Sequence, residues 1–354
     1  MFKKNKLITV IIIISMLILT ACSSPATRNQ PAEPQQAAEK ELTKFVIGMA
    51  VTPPNLVHVV PYMAKDLGYF EEEGLDVELL EFEGGLQSIR GSISGGVDMG
   101  WTSVDSVILA RNAGDQDIMV YYSAAPRLDV SMVANESIKT LDELAGKNIG
   151  VSGEVGGFAD LMNTLVFEKT TVPYKDQTTI TTSMAGRVQA LVTGTADTGV
   201  LHIDQVAAVK AQREDIHILA NLWDVAPEWW FSAMVANKNE VEKNKQAYEG
   251  AIRALIKATR YMYDNPEETI KMSAGFTGVA EDTIRESYDL LTDGKVWAVN
   301  TGLSTKMYES TAAKMVDIGK LEEGKTPSYN QVIDSSLADK IVNELGAVEG
   351  EGLL

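Results

Sequence analysis

The sequence predicts an α/β protein of two similar lobes with mostly parallel sheets, and three observations carry that expectation. Strand-like and helix-like segments alternate from Lys44 to Leu222, as in βα units laid side by side. The eleven residues Gly95 to Asp105 (GGVDMGWTSVD) recur 99 residues later as Gly194 to Asp204 (GTADTGVLHID), with glycine at the first and sixth places and aspartate at the fourth and eleventh. Beyond Lys238 the pattern turns helical. A repeat of helix, glycine turn and short strand implies two related lobes, and late helices imply that the first lobe is completed by the end of the chain.

Taken in order, Lys44 to Ala50 reads as a buried strand, and a polar break through Pro53 and Pro54 leads to a helix from Leu56 to Leu67. Gly74 turns the chain into a second strand ending near Phe82, and Gly84-Gly85 opens the helix that feeds the first repeat copy. A helix from Ser103 to Ala113 and strands over 117–123 and 128–134 follow. A short helix from Thr140 has a capping residue and acids in its first turn. The strand Lys147 to Val151 and a glycine-rich helix start after Ser152 begin the second αβ series, which ends at Ile216 to Leu222. Phe231 to Asn237 is the return strand, and helices are expected over 240–264, 266–274, 281–291 and 305–318. Lobe 1 then comprises 44–125 and 226–345, and lobe 2 comprises 126–225. The chain crosses between them near Ala124–Asp129 and Leu222–Ala233.

At the amino end, Lys3, Lys4 and Lys6 precede an apolar run from Leu7 to Leu19, too short for a comfortable membrane span, and small residues close it. The ending Leu19-Thr20-Ala21-Cys22 resembles a bacterial lipobox, which implies a signal peptide over 1–21 and fatty acylation (palmitate) of Cys22. Residues 22–43 are rich in Ser, Pro, Ala, Gln and Glu, a composition that cannot bury enough surface to fold, and read as a flexible tether. Cys22 is the one cysteine in 354 residues, so no internal disulfide can form. Loss of residues 1–21 removes three lysines and no acid, leaving 28 basic against 49 acidic residues. Such a balance excludes nucleic acid as a partner and any electrostatic hold on anionic lipid. The tail 346–354 is expected to be loose.

Met63 to Glu78 (MAKDLGYFEEEGLDVE) resembles a segment of solute-binding proteins from ABC importers. The branch is that of the aliphatic-sulfonate, taurine and thiamine-pyrimidine-precursor (NMT1/THI5-like) binding proteins. Gly95 to Gly100, Leu141 to Val151 and Gly194 to Gly199 agree with it. The resemblance implies a type II periplasmic-binding-protein fold: two α/β lobes joined by two crossover strands, with a cleft between them that closes on a small molecule. It also implies ABC permease subunits as partners, a lipid-anchored place on the extracytoplasmic face of the cell membrane, and a monomer.

Ligands of open α/β sheets collect at the carboxyl ends of strands, where helix amino ends point their donors. That rule selects Asn55, His58, Gly85, Trp101, Thr102 and Ser103 from lobe 1. From lobe 2 it selects Gly153, Glu154, Gly157, Phe158, His202 and Asp204, with Trp229 at the second crossing. Aromatic residues outnumber cations here, and Arg90 and Arg187 fall within helices, so a flat heteroaromatic ligand is expected, such as a thiamine pyrimidine precursor or a flavin-like ring. An aliphatic sulfonate is the alternative, and a ligand-sensing module for a membrane receptor would use the same fold. Three histidines and one cysteine give no metal cluster, and neither G-x-S-x-G nor H-E-x-x-H occurs, so no catalysis, metal or cofactor is expected. An enzyme of pyrimidine biosynthesis is the disfavoured reading.

Overall fold

A computed structural model describes residues 41–115, 117–153 and 156–349. Ten strands were found among them: β1 (Thr43–Met49), β2 (Leu75–Glu81), β3 (Met99–Ser103), β4 (Ile118–Tyr122), β5 (Val130–Asn135), β6 (Asn148–Ser152), β7 (Thr178–Thr182), β8 (Thr198–His202), β9 (Ile216–Asn221) and β10 (Ser232–Asn237). They form two five-stranded sheets, ordered β2-β1-β3-β10-β4 and β7-β6-β8-β5-β9. This is the type II periplasmic-binding-protein fold, with two α/β lobes and a cleft between them. Four strands of each sheet run one way, and the fifth (β10 or β5) inserts antiparallel in the fourth place. The odd strand in each case is the one that has just crossed from the other sheet.

The repeated sequence does the same mechanical task twice. Gly95 and Gly194 end their helices in the left-handed conformation that glycine adopts without strain. Asp98 Oδ2 accepts from the Val46 amide at 2.7 Å while the Asp98 amide donates to the Val46 carbonyl at 2.9 Å. Asp197 holds Asn148 in the same way, at 2.9 Å in both directions. Each aspartate thereby clips the start of one strand to its neighbour. Gly100 lies against the helix Gly85–Ser94, and a Cβ there would meet Ser88 Oγ at 2.7 Å and the Ser88 carbonyl at 3.2 Å. Gly100→Ala is therefore expected to cost about 1–3 kcal/mol of overpacking strain, measured by denaturant unfolding.

The helix expected from Leu56 to Leu67 divides into a 3₁₀ turn, Leu56–His58, and a helix, Val60–Asp66. Pro61 has no N–H for the carbonyl of Val57, and its ring would clash with that group in a continuous helix. The Val57 carbonyl instead accepts from the Trp297 indole at 3.1 Å. Helices beyond the expected set occur at Tyr329–Val332 and Ser336–Leu345, and between them Ile333 bridges to Val120 of β4. Gly346 and Val348, in the segment expected to be loose, bond Arg260 and Asn300. No helix among the described residues is long and apolar enough to cross a membrane. The signal peptide, Cys22 and most of the tether lie outside the described residues.

The connections β4–β5 and β9–β10 run side by side. Phe231 N donates to the Pro126 carbonyl at 2.8 Å, Ser232 N to the Ala125 carbonyl at 3.1 Å, and Ala125 N to Ser232 Oγ at 3.0 Å. Trp230 is fixed beside them, its indole donating to Ser123 Oγ at 3.1 Å.

Candidate functional site

Parallel strands place all their carboxyl ends on one edge of a sheet, and here the two edges face each other across a cleft of about 670 Å³ including its mouth. Nine of the sequence-selected residues line it: His58, Gly85, Trp101, Thr102, Ser103, Gly153, Gly157, Phe158 and His202. Glu154 lies outside the described residues. Asn55, Asp204 and Trp229 do not reach the wall. Asn55 Oδ1 accepts from His58 Nδ1, and Asp204 Oδ2 accepts from the Leu56 amide at 3.0 Å, so both act behind the cleft. Trp229 lines a separate groove with Pro227, Glu228 and Lys314, because its neighbour Trp230 takes the inward position at the crossing.

Five rings form a continuous patch. His58 lies 5.0 Å from Trp101 and 5.9 Å from Phe231. Phe158 lies 4.8 Å from Phe231 and is nearly parallel to His202 at 6.3 Å. His58 comes from the loop after β1 and His202 from the end of β8, and their rings meet edge-on at 5.5 Å. Each histidine has its Nδ1 engaged: His58 with Asn55, and His202 with both oxygens of Asp129 at 2.9 Å. This leaves Nε2 of each as the nitrogen for a ligand. Burial, helped by the charge of His202, pushes the His58 pKa well below the ordinary imidazole value, so His58 is neutral and its Nε2 an acceptor. Trp101 Nε1 and Thr102 Oγ1 are buried on the same wall without a protein partner.

Phe231 and Arg187 are among the wall residues that the strand-end rule did not select. Phe231 joins three of the ring contacts; its position beside the second crossing was the available signal. Arg187, dismissed as a helical residue, is in the first turn of the helix Met184–Thr193, which starts where β7 ends. First-turn residues share the strand-end edge, so Arg187 lines the cleft. No group of three metal-ligating side chains occurs among the described residues.

The family model described as NMT1/THI5 like matches residues 55–269. The Bacillus subtilis protein YtlA is 23% identical over 315 residues, covering 87% of this chain and 93% of its own. The formylaminopyrimidine-binding protein of Halalkalibacterium halodurans is 25% identical over 271 residues, 74% of this chain and 76% of that one. Among solved structures, the alkanesulfonate-binding protein SsuA from Xanthomonas axonopodis pv. citri bound to MOPS superposes with a TM-score of 0.68 at 17% identity, covering 83% of this chain and 99% of that one.

Proposed function

Because the chain belongs to the NMT1/THI5-like family of solute-binding proteins, we propose that it captures a small heteroaromatic molecule between its lobes and delivers it to an ABC permease. Cys22 would hold it, through lipid, on the extracytoplasmic face of the membrane. The observation that carries this reading is the patch of five rings with two unpartnered donors, Trp101 Nε1 and Thr102 Oγ1, beside it. Rings offer flat apolar faces to a planar solute, and buried polar atoms without partners are rare in folded proteins unless a ligand or water completes them. The formylaminopyrimidine ligand named for one relative is such a ring. Closure would follow from one ligand touching both lobes, with the side-by-side crossings as the hinge.

A second reading, an aliphatic sulfonate, is favoured by Arg187 alone. It leaves the rings without a partner of their own kind. Thermal-shift screening of the 23–354 form against pyrimidines, flavins and alkyl sulfonates separates the two. A ligand at 100 times its dissociation constant adds about 2.7 kcal/mol of stability, and pyrimidines or flavins are expected to give that rise with a change in tryptophan fluorescence. A shift given by alkyl sulfonates alone would overturn the heteroaromatic reading. Cys22→Ser is expected to release the protein from membranes, measured by fractionation; continued anchoring would refute the lipobox.

A further inference from the structure

Arg187 is a charged side chain that ring binding leaves without a task. It is 3% exposed. One nitrogen of its guanidinium donates to Gln205 Oε1 at 3.0 Å, while Nε has no protein partner. Gln205 is neutral and also accepts from the His202 amide, so it orients the guanidinium without balancing its charge. Burial alone pushes the arginine pKa down to about 10, and no carboxylate counters it. A buried cation without a counter-ion is costly, and buried charges are ordinarily paired.

The surrounding backbone has the same sign. The helices Gly85–Ser94, Val104–Asn112, Phe158–Phe167, Met184–Thr193 and Ile203–Lys210 all begin at the cleft, each with its cap or first-turn residue on the wall. Their amino ends direct positive potential into one space. Glu83 is the one carboxylate on that wall among the described residues, and its Oε2 is turned to the Met184 amide at 3.4 Å.

We propose that the ligand is an aromatic anion: a planar ring held by Trp101, His58, Phe158 and Phe231, bearing one carboxylate, sulfonate or phosphate group that Arg187 binds. The assignment rests on the cleft being the ligand site, as proposed above, and replaces the choice between a neutral ring and an alkyl sulfonate with a molecule that satisfies both features.

Matched pairs test it by calorimetric titration of the full chain in detergent: nicotinate against nicotinamide, benzenesulfonate against benzenesulfonamide, and propanesulfonate as the anion without a ring. The charged ring of each pair is expected to bind roughly 10- to 100-fold more tightly, as for a charge-assisted hydrogen bond out of water. Propanesulfonate is expected to bind more weakly than benzenesulfonate. Arg187→Gln should abolish the preference within each pair, Arg187→Lys should keep part of it, and neither should lower the melting temperature of the ligand-free protein. Equal or tighter binding of the neutral rings to the unaltered chain would overturn the anion and leave the ring-binding cleft standing. Binding of none of the five compounds would overturn both.

Discussion

Trp101→Ala is expected to lower the stability of the folded chain by about 3–5 kcal/mol, the usual cost of emptying a large aromatic site in a core. Trp101 is fully buried on β3, which sits in its sheet between β1 and β10, and it pairs across to Met234. Its ring also packs on His58 at 5.0 Å, so the hole would open directly under the cleft. Affinity for a ring-bearing ligand should fall by a further 1–3 kcal/mol, roughly 5- to 150-fold. Trp101→Phe separates the contributions. It keeps an aromatic face and discards Nε1, which has no protein partner. The ligand-free protein should then lose far less stability than with alanine, while a ligand that accepts from Nε1 should lose affinity. Urea unfolding and fluorescence titration read the two quantities independently. An unaltered affinity in Trp101→Ala, alongside the stability loss, would confine this residue to the core.

The repeat was legible because its physics is local. A glycine that ends a helix and an aspartate that bonds the start of the next strand need only a few neighbouring residues, and both copies keep them. The insertion of β5 and β10 as antiparallel strands is different, because it depends on which sheet the chain enters after crossing, and alternation of segments alone reads as parallel. Pro61 carries a break that a continuous helix from Leu56 to Leu67 leaves out of account, and the freed Val57 carbonyl found Trp297, 240 residues away in sequence. Among the site residues, those directly at strand ends were found. Arg187 was missed because it stands four positions after the N-cap Ser183, inside the helix, and one turn of helix brings it back to the same edge. Asn55 and Asp204 obeyed the strand-end rule but turned away from the cleft, each to bond a neighbour from behind.

Asp105→Asn and Asp204→Asn are each expected to stabilise the protein at pH 7.5 by about 1–3 kcal/mol, with the gain vanishing near pH 4. These aspartates close the two repeat copies and are buried in the first turns of their helices. Burial pushes both carboxyls up to about 6, against the opposing pull of hydrogen bonds from Ser103 Oγ to Asp105, and of the His202 charge and the Leu56 amide on Asp204. A carboxyl free in the unfolded chain titrates near 3.9. Between about pH 4 and 6 the folded protein therefore retains protons that the unfolded chain has released, and stability from these two groups falls as pH rises through that window. Above it, the folded state carries two ionised carboxylates in poor solvation. Asparagine has nearly the same shape and no charge to bury, so the variants should escape that loss. His58 acts in the opposite direction, because its depressed pKa makes folding less favourable as pH falls below about 6.5. Only the difference between variant and parent across pH 4–8, from denaturant unfolding, isolates the carboxylates. A constant offset at every pH would refute the linkage. For Asp204 the gain has a counterpart in function. Its carboxylate accepts from Leu56 N, a contact between the helix that follows β8 and the turn that follows β1, and a charged acceptor forms a stronger bond than an amide. Asp204→Asn should then raise the melting temperature while weakening ligand binding, if the proposed closure on a ligand draws on this contact between the two lobes.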